Sequence, residues 1–137
     1  MSVRSVLLWA PVAVYMAAIF FVSADPSPPI PASVSDKTLH LLAYFGLSAL
    51  VCRAVARGIG ARITWRSAAV TLLITIGYGA SDELHQVFVP NRSPDVNDLY
   101  ADAAGAALAL IACWAWGIIQ SLIANPQSRI GTPKSQR

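Results

Sequence analysis

Four apolar segments of near bilayer-spanning length constrain this chain more than any other feature of its sequence. We predict one helix in each, over residues 6–22, 38–55, 67–87 and 98–119. An apolar helix of about 20 residues crosses the hydrocarbon core and satisfies its own backbone hydrogen bonds there. With 55% hydrophobic and 12% charged residues, the composition is far from that of a soluble globular domain. We therefore expect an all-α fold, a polytopic membrane protein whose residues 1–122 form a four-transmembrane-helix bundle.

The positive charges are distributed unevenly along the chain and predict its orientation. The connection between the second and third segments carries four arginines and no acidic residue: Arg53, Arg57, Arg62 and Arg66. Because cytoplasmic loops are enriched in Lys and Arg, we expect a multi-pass plasma-membrane protein with this connection and both termini in the cytoplasm. The polar, basic stretch 123–137 is expected to be a disordered cytoplasmic tail. Since the arginines do not line one helical face, the net charge of +3 does not indicate nucleic-acid binding.

Two interpretations of the first segment remain. Residues 22–24 have the small-residue pattern of a signal-peptidase site, which would make residues 1–24 a cleaved signal. The segment is longer than the apolar core of a usual signal, and this favours a retained helix. The proline- and serine-rich stretch 25–36 follows and is expected to form an extended external loop, with the Ser35-Asp36 pair offering the cap of the next helix and Asp36 favoured in that role.

A polar island at residues 81–102 interrupts the apolar pattern. It contains five of the seven carboxylates of the chain: Asp82, Glu83, Asp95, Asp98 and Asp102. In the predicted topology, the start of the second helix, the end of the third and the start of the fourth reach the same depth. Ionisable groups at membrane depth must face protein or water rather than lipid. We therefore expect a polar, acidic pocket at the outer face of the membrane.

Helical spacing selects the side chains that would line this pocket. Lys37, His40 and Tyr44 share one face of the second helix, because they are separated by three and then four residues. Gly105 belongs to a small-residue pair on the fourth helix, and the close helix approach that it permits would carry Asp102 into the bundle. The predicted ligand-binding side chains are Lys37, Tyr44, Asp82, Gln86, Arg92 and Asp102. The candidate catalytic side chains are Glu83, His40 and Asp98.

Three segments of the chain resemble the VanZ-like family of small bacterial membrane proteins. They are DKTLHLLAYFGL at 36–47, DELHQVFVPNR at 82–92 and DLYADAAG at 98–105. The resemblance implies that the recurring polar positions of the family fall on Lys37, His40, Tyr44, Asp82, Glu83, Gln86, Arg92 and Asp98. This chain has Asp102 where the family often has Asn, and Ala109 where it often has Gly. The namesake of the family is associated with resistance to the glycopeptide teicoplanin, so the resemblance implies an effect on glycopeptide susceptibility, but it carries no mechanism.

Three functional hypotheses remain open. The pocket binds an envelope ligand or a lipid headgroup, or it belongs to an enzyme that acts on a lipid-linked phosphate or cell-wall precursor, or it serves an ion- or proton-coupled carrier. In the enzyme, Lys37 and Arg92 would hold the phosphate, and Glu83 or His40 would transfer the proton. The candidate ligands of a divalent cation are Asp82, Glu83 and Asp98. Against the enzyme, the sequence contains no nucleophile constellation and no HExxH spacing.

Overall fold

The computed structural model of the protein describes residues 2–27 and 33–124, and within these ranges the chain forms four α-helices and no strand. The helices are α1 (Val3–Ser23), α2 (Asp36–Val55), α3 (Trp65–Gln86) and α4 (Val96–Ala124). The all-α prediction is confirmed for this part of the chain, and α4 extends beyond the predicted end at residue 119. Residues 28–32 of the predicted external loop and residues 125–137 of the predicted tail lie outside the described residues.

Three of the four helices, α1, α2 and α4, are long and apolar enough to cross a membrane. The chain is therefore a membrane protein by the length and composition of its helices. Helix α3 is 22 residues long, but its last turns are polar, with Asp82, Glu83 and Gln86 among their residues. A fourth span through α3 stays a prediction, as does the orientation of the termini.

The N-termini of α2 and α3 are capped by the side chains of a serine and a threonine. Ser35 precedes α2, and its hydroxyl oxygen accepts a hydrogen bond from the Thr38 amide at 3.2 Å. Thr64 caps α3 in the same way, and Ser67 completes a reciprocal capping box. Of the predicted pair, Ser35 is therefore the cap and Asp36 is not, because the Ser35 hydroxyl already accepts from the Thr38 amide. Asp36 is instead the first helical residue, and its carboxylate is available for other partners.

Pro11 lies inside α1 and leaves one backbone carbonyl group without its helical donor. Because proline has no N–H, the carbonyl oxygen of Leu7 lacks the usual bond from the residue four positions later. The Arg53 guanidinium of α2 donates to this oxygen at 3.3 Å. Arg4 of α1 donates to the Arg57 carbonyl oxygen at 2.9 Å, so the start of α1 is attached to the arginine-rich connection.

The closest helix packing joins α2 to α4. A Cβ atom added at Gly105 would overlap the carbonyl oxygen of Leu41 and lie 3.0 Å from the Phe45 amide nitrogen. Backbone therefore meets backbone at this point, as the small-residue spacing of α4 predicts. Asp102 lies about one turn before Gly105 and is fully buried. Helix α1 packs mainly against α2, around buried Val12 and Leu47.

Candidate functional site

The polar residues gather at one end of the bundle, which we call the polar end. It is formed by the last turns of α1 and α3, the first turns of α2 and α4, and the connection 87–95. Its buried polar side chains are Ser23, Asp82, Glu83, Gln86, Asp98 and Asp102. Burying carboxyl groups in a helical bundle is unfavourable unless they are paired, protonated or bound to a cation. The partners of each group therefore decide what the site can do.

A histidine–carboxylate pair links α2 to α4. The His40 Nδ1 and Asp102 Oδ1 atoms are 2.9 Å apart, and their side chains are 11% and 0% exposed. A carboxylate can only accept a hydrogen bond, so with Asp102 ionised and His40 neutral, Nδ1 carries the proton. The lone pair then resides on Nε2. This pairing fixes the orientation of the ring and leaves its second nitrogen free to accept a proton or bind a metal.

Lys37 ties the connection before α4 to the start of α2. Its ammonium group lies 2.9 Å from Asp95 Oδ2 and 3.6 Å from Asp98 Oδ1. The Asn97 amide donates to Asp95 Oδ1, and this bond, followed by the Lys37 contact, lowers the pKa of the Asp95 carboxyl group below its usual value. The Asp95 amide in turn donates to Glu83 Oε2 at 2.9 Å. These bonds hold the connection against both α2 and α3.

Arg92 is held more loosely. Its Nε donates to the Asp25 carbonyl oxygen at 3.4 Å, and its Nη1 lies 3.6 Å from Asp36 Oδ2. Both distances are long for a hydrogen bond from a charged donor, and the Arg92 side chain is only 13% exposed. A guanidinium group has five N–H donors, so within the described residues most of its donor capacity is left for a ligand.

A cavity of about 310 Å³ lies between α1, α2 and α3 at the polar end. Most of its lining is apolar and includes Ile19 and Val22 of α1 and Leu39 of α2. The lining also contains the following polar side chains: Asp36, His40, Tyr44, Asp82, Gln86 and Arg92. The Gln86 amide links α3 to α1, because its Nε2 donates to Ser23 Oγ at 3.2 Å. The cavity therefore has the mixed chemistry that an amphiphilic molecule requires.

Several buried acceptors of the polar end have no hydrogen-bond donor among the described residues. They include four carboxyl oxygens: Asp82 Oδ1, Glu83 Oε1, Asp98 Oδ1 and Asp102 Oδ2. The hydroxyl group of Tyr44 also lacks a partner, although its ring stacks parallel to His40 with centroids 6.2 Å apart. Buried carboxylates without donors call for protons, water or a cation.

The structure groups possible metal ligands differently from the sequence-based expectation. Ligand atoms of Asp36, His40 and Asp98 lie within 4.8 Å of one another. In the described part of the chain, the expected set of Asp82, Glu83 and Asp98 does not form such a group. Asp98 is common to both sets.

The sequence-predicted residues divide into two neighbouring groups. Around the cavity lie His40, Tyr44, Asp82, Gln86 and Arg92. Outside its lining, in the network of α2, α3 and α4, lie Lys37, Glu83, Asp98 and Asp102. Lys37 and Arg92 thus take different partners rather than flanking one cavity as the phosphate hypothesis expects.

Sequence reasoning assigned no site role to Asp36. It also assigned none to Ser23 or to the other α1 residues that line the cavity. Asp36 and His40 are four residues apart, and this spacing placed them on one face of α2. The apolar residues of α1 gave no comparable signal.

Comparison with known proteins agrees with the family resemblance of the three sequence segments. A family model described as VanZ/LLP1 matches residues 3–120, which is most of the chain and includes every residue of the polar end. No curated protein and no solved structure matches the chain. The chain belongs to the VanZ/LLP1 family of proteins.

Proposed function

We propose that the chain is a four-span protein of the bacterial plasma membrane whose cavity binds the headgroup of an envelope lipid or lipid-linked precursor. The cavity carries this proposal, because its lining combines apolar residues with several polar side chains. An acyl or prenyl chain would lie along Ile19, Val22 and Leu39, and a phosphate would meet Arg92. Ligand cavities of this kind combine an apolar lining with a few convergent polar groups.

Arg92 is the anchor of the proposed complex. Its present contacts are 3.4 and 3.6 Å long, so a phosphate does not have to displace a tight ion pair. Arginine binds phosphate by two parallel hydrogen bonds, and the shielded position of the guanidinium strengthens them.

The headgroup proposal is tested by thermal unfolding of the purified chain in micelles with added chelator. We expect short-chain phosphatidylglycerol or a short polyprenyl phosphate to stabilise the wild-type chain, by about 2.7 kcal/mol at a hundredfold excess over Kd. Arg92→Ala should lose this stabilisation and Arg92→Lys should keep part of it. Arg66→Ala is the control, because Arg66 lies over the Trp65 ring at the other end of α3. Equal stabilisation of all four chains would refute a role for Arg92.

The proposed orientation places the polar end at the outer face and both termini in the cytoplasm. The arginine-rich connection and its bond from Arg4 support a cytoplasmic position for the opposite end. In a background where both cysteines are changed to Ala, Asn91→Cys should react with an impermeant maleimide on intact spheroplasts. Ile59→Cys, in the arginine-rich connection, should react only after permeabilisation. The reverse pattern would place the cavity at the cytoplasmic face.

The effect on glycopeptides follows from headgroup binding if the occupied precursor is hidden from the drug. We expect a sensitive bacterial host that expresses the chain to tolerate more teicoplanin, and Arg92→Ala to remove the difference at equal expression. An unchanged susceptibility with intact headgroup binding would refute this consequence alone.

An enzyme is the second candidate function, and the His40–Asp102 pair beside the cavity favours it. His40 Nε2 would act as the general base toward water or a headgroup hydroxyl, with Asp102 holding the ring. Phosphate release from a lipid-linked phosphate, lost in His40→Gln, would support this activity; equal release by the variant would refute it. The carrier hypothesis would need ionisable groups along the bundle, whereas the buried polar side chains of the described residues beyond the polar end, Ser48, Thr71 and Thr75, are uncharged hydroxyls.

A further inference from the structure

We propose that Asp36, His40 and Asp98 bind one divalent cation and that Asp102 positions the His40 ring for it. Ligand atoms of the three residues lie within 4.8 Å of one another. They come from the first turns of α2 and α4, so one ion would hold the two helices together at the polar end. The inference goes beyond headgroup binding, because the ion would bind without any lipid.

The His40 ring already has the arrangement of a metal ligand. Metal-binding histidines usually donate their second N–H to a carboxylate or carbonyl group, which fixes the tautomer and raises the basicity of the ligating nitrogen. Asp102 occupies the Nδ1 side of His40 at 2.9 Å and is fully buried. Nε2 is therefore the nitrogen that remains for a cation.

In the described part of the chain, the buried carboxylate of Asp98 has an oxygen without a hydrogen-bond donor, and this is an independent observation that points to a bound cation. Its side chain is 5% exposed, and its Oδ1 atom has no hydrogen-bond donor among the described residues. The Lys37 ammonium group is 3.6 Å from this oxygen and is bound more closely to Asp95, at 2.9 Å. Asp36 is 46% exposed, but its nearest cation is equally distant, since Arg92 Nη1 lies 3.6 Å from its Oδ2. Each carboxylate faces a cation that is too distant for a good hydrogen bond.

Carboxyl groups outnumber positively charged side chains at the polar end, and this excess of negative charge favours the binding of a cation. Six carboxyl groups lie there: Asp36, Asp82, Glu83, Asp95, Asp98 and Asp102. Only Lys37 and Arg92 carry permanent positive charge among the described residues of this region. A divalent ion would offset the excess without protonating the carboxylates.

The ligand set indicates the class of ion. One imidazole with two carboxylates suits Zn²⁺ or Mn²⁺ better than Mg²⁺ or Ca²⁺, which prefer sites made of oxygen alone. Three protein ligands also leave at least one coordination position for water or a phosphate oxygen.

The test uses the full chain, purified without a histidine tag, stripped with chelator and kept free of added lipid. Calorimetric titration with Zn²⁺ should give one equivalent per chain, and Zn²⁺ should shift the ring ¹⁵N signal of His40 Nε2. The chain has two histidines, so His85 is an internal control in the same spectrum. His85 packs against Phe20 with ring centroids 4.6 Å apart and is not part of the group.

Matched variants separate ligation from a general loss of structure. His40→Gln and Asp98→Asn should abolish the Zn²⁺ equivalent, and His85→Gln should keep it. Asp102→Asn should weaken the affinity by roughly 10- to 100-fold, because it acts through the His40 ring. Metal-free circular dichroism identifies variants that remain folded, and only these are compared.

Two results would overturn the proposal: an unshifted Nε2 signal at saturating Zn²⁺, or loss of binding in His85→Gln equal to that in His40→Gln. Headgroup binding is measured with chelator, so either proposal can fail while the other stands.

Discussion

His40 of α2 and Asp102 of α4 are 62 residues apart in the chain, yet their side chains meet at 2.9 Å. The pair depends on the close packing beside it, where Gly105 lets the backbones of α2 and α4 touch. Ser48 adds a second link, because its hydroxyl group donates to the Ala106 carbonyl oxygen at 3.1 Å. The polar end is therefore built on the tightest helix contact of the fold.

Gly79 of α3 makes room for the Asp102 carboxyl group. A Cβ atom at Gly79 would lie 2.6 Å from Asp102 Oδ2 and 3.2 Å from Tyr44 Cε1. We expect Gly79→Ala to lower the free energy of unfolding by about 1–3 kcal/mol, because both neighbours are buried and must shift. Gly77→Ala is the control, since a Cβ atom there meets nothing within 4 Å. Unfolding in SDS titrations followed by circular dichroism compares them, and equal stabilities would contradict the packing.

Gly105 of α4 should tolerate substitution even less. Its hypothetical Cβ atom meets the backbone of Leu41, which cannot rotate away as a side chain can. We expect Gly105→Ala to cost roughly 3 kcal/mol or more, at or above the top of the usual range for overpacking. In the same assay Gly117→Ala should be nearly neutral, because its nearest neighbour, the Ala61 carbonyl oxygen, would be at an ordinary 3.5 Å. A stable Gly105→Ala chain with an intact α2–α4 contact would refute this.

Pro11 and Arg53 should be energetically coupled. Arg53 donates to the Leu7 carbonyl oxygen that Pro11 leaves without a helical donor. We expect Arg53→Met to be less destabilising in a Pro11→Ala background, where the helix supplies its own N–H, with a coupling of about 0.5–1.5 kcal/mol. Arg66→Met should show no such coupling. Strict additivity of the Pro11 and Arg53 changes would show that the guanidinium does not substitute for the missing donor.

Asp95 should titrate at an unusually low pH. The Asn97 amide and the Lys37 ammonium group favour its charged form, so its pKa in the folded chain is lowered. Its contribution to stability is therefore complete above the unfolded pKa of about 3.9 and is lost as the pH falls through the lower folded value. Carboxyl ¹³C titration should show this low pKa, and Lys37→Met should move it upward. An unshifted pKa in the wild-type chain, or one that ignores Lys37, would contradict the network.

We expect α1 to remain in the mature protein. The Tyr78 hydroxyl group donates to the Met16 carbonyl oxygen at 2.6 Å, and Gln86 Nε2 donates to Ser23 Oγ at 3.2 Å. Cleavage after residue 24 would remove every residue that α1 contributes to the cavity lining. Mass spectrometry of the membrane-extracted protein should detect peptides from α1, residues Val3–Ser23. A chain that begins at Asp25 would establish the signal-peptide interpretation.

The four helices and the gathering of polar residues at one end of the bundle could be predicted from the sequence. Both follow from the length of the apolar segments and the spacing of residues along a helix. Apolar length defines the segments, and spacings of three and four residues place Lys37, His40 and Tyr44 on one side of α2. Small residues around Gly105 indicated that Asp102 would be carried inward, and it is fully buried.

Which partner each charge takes could not be predicted, because it depends on the path of a short connection. The turn before α4 places Asn91 in the left-handed region, at φ 61°, and brings Asp95 to Lys37. That pairing draws Lys37 away from the cavity that Arg92 lines. The contribution of α1 was also hidden, since an apolar residue that lines a cavity and one that faces lipid look alike in sequence.

The apolar part of the cavity lining has a consequence for how a ligand would arrive. Helix α1, which supplies most of that part, packs mainly against α2, and its edge toward α3 is only sparsely packed. An amphiphile diffusing in the leaflet would reach the cavity sideways through this edge without entering water. Its rate of capture would then scale with its surface density in the membrane, and a soluble analogue would be a poor competitor.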